Sequence, residues 1–222
     1  MTIRIEKYPD FSLRQIEALS VDDVPYVDST DYYRVELPAH PNNVVEMGKK
    51  GYIFADRTLG VEISLKRSKI DYQKLVRFSI SNGNADKDVI WQIALDSFPS
   101  DRRFHVSPVP DMNVATRIID KWINDLTNVF VCLHKDEIVG FLDLEPYGEN
   151  DRFIHLAAVK ERYRAAGAAV SLYAFAIQKT KELGCEKVYG RISSSNTAVM
   201  NLYSVLGGIF NNPIDVFVRN ED

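Results

Sequence analysis

At 222 residues with 45% apolar side chains, the chain can build one large domain, or one and a half small ones, around a proper core. A net charge of −4 without any lysine or arginine block excludes the electrostatic footprint of a nucleic-acid or anionic-membrane binder, so an anionic ligand must be held by local groups. Two cysteines, Cys132 and Cys185, lack metal-ligand spacing and read as buried thiols, and no metal is expected.

The opening Met1-Thr2-Ile3-Arg4-Ile5-Glu6 alternates like a strand, unlike a secretory signal, and no apolar run approaches membrane-spanning length. A cytoplasmic protein is expected. An acidic loop follows around Val21 to Thr30, then a strand from Tyr32 to Leu37, a short helix from Pro41 to Lys50 ended by Gly51, and a half-buried strand from Val61 to Leu65. Strand, short helix, glycine and strand recur from Lys187 to Arg219. A constant offset of 156 places Gly51 on Gly207 and Tyr33 on Tyr189.

Leu75 to Ile80 is expected as a strand and Ser81-Asn82-Gly83-Asn84 as a turn. Asp86 to Ser97 carries Val89, Ile90, Ile93, Ala94 and Leu95 at helical spacing and stops at Pro99. A second helix, Val114 to Leu126, aligns Ile118, Ile119, Trp122, Ile123 and Leu126. Between the two lies Asp101-Arg102-Arg103-Phe104-His105, paired cations beside aromatics. Val129 to His134 and Glu137 to Leu144 form a hairpin across Lys135-Asp136.

Glu149-Asn150-Asp151 turns the chain into a central strand, Phe153-Ile154-His155-Leu156-Ala157-Ala158-Val159. After one polar turn comes Arg164-Ala165-Ala166-Gly167-Ala168-Ala169, which opens a long apolar-periodic helix ended by Leu183-Gly184. Backbone N–H groups at that helix start have no intrahelical partner and the dipole adds positive charge, so a pyrophosphate fits there, and only small side chains let it approach. Lys187 to Ile192 is a further strand. It leads to Asn196 at a helix start, with Tyr203 two turns along on the same face. The mixture implies an α/β (α+β) domain with a mixed sheet flanked by helices.

Arg-x-x-Gly-x-Ala after a strand, then a glycine-stopped helix, a strand, and Asn196, Tyr203 and Gly207 in order, resembles the GCN5-related N-acetyltransferase (GNAT) superfamily over about Leu75 to Arg219. That resemblance implies a complete acyltransferase domain at 71–222, preceded at 1–70 by a partial, degenerate copy. In the copy His40 replaces Asn196 and Met47 replaces Tyr203, and no small-residue loop is present. It further implies acyl-coenzyme A as co-substrate, with Arg164 and the N–H groups of Ala165, Ala166, Gly167, Ala168 and Ala169 on its pyrophosphate. The backbone of Leu156, Ala157, Ala158 and Val159 would hold the pantetheine arm like an added strand, and Asn196 would reach it while capping its helix. Tyr203 occupies the position that protonates the departing thiolate, although a buried aromatic on an amphipathic helix is also ordinary core.

His155 reads as a general base or a satisfied core histidine, and Asp143 and Glu145, on one face by alternation, as groups that contact an amine or relay its proton through water, or as exposed edge carboxylates. Within the superfamily the chain is similar to the dTDP-fucosamine N-acetyltransferases, which also carry a partial repeat. Asn42 to Tyr52 and Ala94 to Phe104 resemble segments there, with Arg102 where those have Ser. This implies a dTDP-linked amino sugar as acceptor, polysaccharide biosynthesis as setting, and acetyl, or a longer or hydroxylated acyl such as 3-hydroxybutanoyl, as the group transferred. Arg102 and Arg103 would then hold the diphosphate and Phe104 or His105 stack on the base, the bland alternative being solvated arginines and a core Phe. A peptide N-terminus, a polyamine or an antibiotic are alternative amines, a homodimer is compatible with the pattern, and a non-catalytic coenzyme A-binding module is the remaining reading.

Overall fold

The computed structural model describes residues 1–27, 31–82, 85–98, 106 and 111–219. Among them ten strands form one continuous mixed sheet: β1 (Thr2–Lys7), β2 (Ser12–Glu17), β3 (Tyr32–Pro38), β4 (Tyr52–Ser64), β5 (Ser79–Asn82), β6 (Val129–His134), β7 (Glu137–Tyr147), β8 (Asp151–Val159), β9 (Lys187–Ser193) and β10 (Ile209–Arg219). Their spatial order is β1-β2-β3-β10-β4-β9-β8-β7-β6-β5. Two neighbouring pairs, β2–β3 and β8–β9, are parallel, and the rest are antiparallel. The mixed α+β architecture expected from the sequence is the one found.

Six α-helices among the described residues accompany the sheet: α1 (Asn43–Lys49), α2 (Lys87–Ser97), α3 (Met112–Asn124), α4 (Glu161–Arg164), α5 (Ala168–Glu182) and α6 (Thr197–Val205). The aspartate side chain at each N-cap fixes two of the starts: Asp86 accepts from Asp88 N–H, and Asp111 from the N–H groups of Asn113 and Val114. One sheet face packs with α5 and α6 around Leu172, Ile177, Val188 and Leu206. The other packs with α2 and α3 around Ile93, Ile119 and Phe141, and Leu13 of β2 joins that second core. Tyr33, Val35, Met47, Tyr52 and Phe217 form a third cluster under α1.

The β6–β7 hairpin turns at Lys135 and Asp136, both with positive φ (50° and 67°), as the sequence anticipates. The strand expected at Leu75 to Ile80 is displaced to Ser79–Asn82. Ser171 of α5 explains the shift: its hydroxyl accepts from Arg77 N–H (2.9 Å) and donates to Leu75 O (3.3 Å), tying the preceding backbone to a helix instead of a strand. Cys132 is buried, its thiol pushed up to about 11 by that burial, whereas Cys185, expected buried, is only half-buried beside the end of α5. No helix among the described residues is long and apolar enough to cross a membrane.

Candidate active site

The parallel pairing of β8 with β9 stops at three rungs, Arg152 opposite Val188, Phe153 opposite Tyr189 and Ile154 opposite Gly190. Beyond them the strands part, while on its other side β8 stays paired with β7 as far as Val159 opposite Gly140. The backbone of Leu156 to Val159 thus keeps one edge that no strand claims, and a cavity of about 430 Å³ lies in the gap. Ala157, Ala158 and Val159 line it. The Leu156 side chain is buried in the α2–α3 core, leaving only its backbone for a ligand.

The small-residue segment differs in one detail from expectation, because Arg164 closes the single-turn helix α4 instead of lying in an open turn. Its Nε donates to Val159 O (2.9 Å) and its Nη2 to Ser97 Oγ (3.3 Å), bracing the segment against β8 and α2. Gly167 then caps α5 at φ 86°, a left-handed conformation costly for any other L-residue, and a Cβ there would meet nothing within 4 Å. Backbone geometry and open approach, not packing, require glycine. Ala165 and Ala166 are exposed, Ala168 is buried, and Ala169 lines the cavity. No side chain caps α5, so its first N–H groups and its dipole present a positive end to an anion at the cavity.

Asn196 caps α6, its Oδ1 accepting from Val199 N–H at 3.1 Å, and it also lines the cavity. Tyr203, 2% exposed, stands edge-on to Tyr173 with ring centroids 5.3 Å apart. Its hydroxyl lies over Gly190: a Cβ on that residue would come within 2.5 Å of the phenol oxygen. Glycine at the last paired rung of β9 is what lets Tyr203 reach the gap.

His155 sits at a bulge, since the β7–β8 register steps from Leu142–Ala157 to Leu144–Ile154 and one residue, Asp143, faces two. Its Nδ1 lies 3.0 Å from Glu145 Oε1 and 3.5 Å from Asp143 Oδ2, though neither contact has the alignment of a hydrogen bond. The Trp122 indole of α3 covers its ring at 5.0 Å. Asp143 is fully buried, which removes the exposed-edge reading for it, and its Oδ1 accepts from the N–H groups of Thr127 (3.2 Å) and Asn128 (2.8 Å). Burial alone would raise its carboxyl, but His155 and those two N–H groups outweigh burial and hold it below the ordinary carboxylate value. Glu145 is pushed the other way, by burial first and by the Asp143 charge, with His155 opposing. Two carboxylates of divergent acidity around one imidazole can support a proton relay; their ligand atoms, all within 4.8 Å, could also hold a divalent cation.

The remaining expected acceptor residues, Arg102, Arg103, Phe104 and His105, lie outside the described residues.

A protein-family model described as "Acetyltransferase (GNAT) family" matches residues 88–207, more than half of the chain. The chain belongs to the GNAT acetyltransferase family. It is accordingly an acyl-coenzyme A-dependent N-acyltransferase. Solved structures share its fold at low identity. A GCN5-related N-acetyltransferase from Sphaerobacter thermophilus aligns at TM-score 0.56 and 15% identity, covering 84% of this chain and 59% of that one. One from Kribbella flavida aligns at 0.59 and 12%, covering 94% and 81%. The glucosamine N-acetyltransferase region of a fungal multi-domain GH3 β-N-acetylglucosaminidase aligns at 0.60 and 13%, covering 97% and 31%. No curated protein matches the chain.

In this GNAT acyltransferase the sheet face that carries His155 also holds groups that sequence reasoning missed. Tyr147 stacks against Tyr189 (4.8 Å) and Phe153 (5.7 Å), an aromatic shelf two residues along the strands from Glu145, Arg191 and His155, on the same face by period-two alternation. Alternation within each strand was visible in the sequence. Which strands adjoin, and where they part, was not.

Proposed function

We propose that the enzyme acylates the primary amine of a nucleotide-linked amino sugar by direct attack on acyl-coenzyme A in a ternary complex, acetyl being the default group. The observation that carries this reading is the cavity in the β8–β9 gap, lined by Tyr203 from the α5–α6 face and by His155 from the α3 face. The coenzyme arm would run along the free edge of Leu156 to Val159 with its pyrophosphate at the start of α5 beside Arg164. From the opposite face an ammonium group loses its proton to His155, directly or through water, and Glu145 and Asp143 stabilise the imidazolium. The neutral amine attacks the thioester carbonyl, and Tyr203 gives its proton to the departing thiolate. Alignment in the gap supplies much of the rate, so no covalent acyl-enzyme is needed.

An amino sugar is favoured by the aromatic shelf of Tyr147, Phe153 and Tyr189, which suits a sugar or base face, and by the sequence resemblance to dTDP-amino-sugar enzymes. The fungal glucosamine N-acetyltransferase region of similar fold points the same way. Residues 1–70 fit a degenerate partial copy of the same fold, which serves as scaffold. Thiol release from acetyl-coenzyme A should be fastest with dTDP-amino sugars among a panel that includes polyamines, peptides and aminoglycosides. A faster rate with any other class moves the acceptor to that class, and labelled acyl groups retained on denatured enzyme would overturn direct transfer.

A further inference from the structure

His155 and Arg191 occupy the positions that would form the next rung after Ile154 and Gly190, had β8 and β9 stayed together. The parting strands leave the two side chains on either lip of the gap, and both line the cavity. Arg191 is partly buried there, and desolvation pulls its guanidinium below its ordinary value. One side of the fork is anchored, Nη1 donating to Thr58 Oγ1 (3.0 Å) and to Asn212 O (3.3 Å). Directly across on β4 lies Gly60, where a Cβ would crowd the Asn211 side chain at 2.7 Å and make only ordinary contact with Nη2 at 3.6 Å. Among the described residues no carboxylate is within ion-pair distance of Arg191. Glu36, the carboxylate that most affects it, is bound to Arg34 at 3.1 Å.

A partly desolvated cation with no carboxylate in ion-pair contact among the described residues, oriented by two fixed acceptors, is suited to an anion that arrives with the substrate. We propose that Arg191 is the acceptor-recognition residue of this site, binding an oxyanion of the amine substrate, phosphate or carboxylate, across the gap from His155. The inference rests on the acyltransfer reading, with the amine placed at His155, and narrows it to amines that carry a negative group a few bonds away. A nucleotide-linked sugar meets that description through its diphosphate, and the aromatic shelf two residues before Arg191 on β9 would lie under the body of such a ligand. Arginine suits the task better than lysine because Nε and Nη2 present parallel donors to two oxygens.

The test uses matched amines that differ in charge: glucosamine against glucosamine 1-phosphate and glucosamine 6-phosphate for the phosphate arm, glycinamide against glycine for the carboxylate arm. Thiol release from acetyl-coenzyme A gives kcat/KM for each. The wild-type enzyme should prefer the anionic member of at least one pair by about ten- to a hundredfold, the range for a charged hydrogen-bond pair. In Arg191→Gln that ratio should fall to near unity, and in Arg191→Lys to an intermediate value. No preference in the wild type, or a preference that survives in Arg191→Gln, overturns the proposal. Thermal stabilisation by coenzyme A and by each sugar phosphate is read in parallel. If none of these amines is acylated, the acceptor reading fails, and stabilisation by the sugar phosphates that is lost in Arg191→Gln and reduced in Arg191→Lys still supports the anion site, whereas equal or absent stabilisation of all three proteins rejects it. Arg191→Lys keeps the charge and serves where Arg191→Gln does not fold.

Discussion

Two β-α-β units, β3-α1-β4 and β9-α6-β10, interlock at the centre of the sheet, and only the second borders the cavity in the β8–β9 gap. β10 lies between β3 and β4, and β4 between β10 and β9. The β4–β10 pairing is nearly self-reciprocal: at the 156-residue offset Val218–Ile53 becomes Ile209–Glu62, Phe217–Phe54 becomes Phe210–Val61, and Ile214–Thr58 maps onto itself. Each unit is also preceded by a strand parallel to its first, β2 beside β3 and β8 beside β9. Both helices end at a glycine in the left-handed region, Gly51 at 87° and Gly207 at 82°.

The differences are local. β2 and β3 pair over five rungs, from Leu13–Tyr32 to Glu17–Glu36, whereas β8 and β9 part after three. Where α6 places Tyr203 over Gly190, α1 places the fully buried Met47, and the equivalent of Gly190 is Arg34. No small-residue helix start joins β2 to β3. The β-α-β unit is thus a packing solution in itself, and what sets the second copy apart is the strand gap, the glycine that admits a phenol and the uncapped helix together.

If the gap is where the chemistry occurs, the largest loss should come from the side chain on its acceptor lip. His155→Gln is expected to lower turnover by about a hundred- to ten-thousandfold at neutral pH, the range for a general base, with the loss shrinking as pH rises and the amine deprotonates unaided. A pH–rate profile checks this, and an unchanged profile returns His155 to the core. Gly190→Ala should displace the Tyr203 ring, with its Cβ 2.5 Å from the hydroxyl and 3.2 Å from Cζ. Turnover should then drop by at least about tenfold, while stability falls by only about 1–3 kcal/mol, as for other overpacked sites.

The N-terminal unit should respond in the opposite way. Met47→Ala should cost about 2–5 kcal/mol in denaturant unfolding, the range for emptying a buried Met site, yet leave the turnover of the folded fraction alone. A specific loss of turnover there would assign the N-terminal unit a catalytic part.

These contrasts were partly legible in the sequence. Gly167, the start of α5, Asn196 and Tyr203 could be read because local spacing and helix-end chemistry fix them. The recurrence of strand, helix and glycine was legible for the same reason. His155, Asp143 and Glu145 were each legible as candidates, the two carboxylates on one face, but their meeting was not, because it depends on a bulge that sets one β7 residue against two of β8. Arg191 escaped notice because its meaning lies in what surrounds it: no strand pairing between β8 and β9 beyond Gly190, and neutral acceptors on Thr58 and Asn212 that orient its guanidinium. The start of β5 was misplaced because a serine on a distant helix outbid strand pairing.

The smallest expected effect is on the acid side of stability. Asp143 is held below its ordinary value in the fold, so the folded state binds fewer protons than the unfolded chain between the two values. The stability it confers is present above the unfolded value of about 4 and is lost as pH falls through the folded one. Asp143→Asn should therefore flatten the decline of unfolding midpoints between about pH 5 and pH 2, read by denaturant titration; an unaltered decline would place the acid sensitivity elsewhere.

Tyr203 is the proposed acid that completes acyl transfer, and Tyr203→Phe tests that role with the least disturbance, since the ring keeps its packing against Tyr173 and over Gly190. Steady-state thiol release and coenzyme A binding should be measured on the same preparation. The expected result is a fall in kcat of about ten- to ten-thousandfold with coenzyme A affinity nearly unchanged. A wild-type kcat in that variant would contradict the account and leave Tyr203 a core residue.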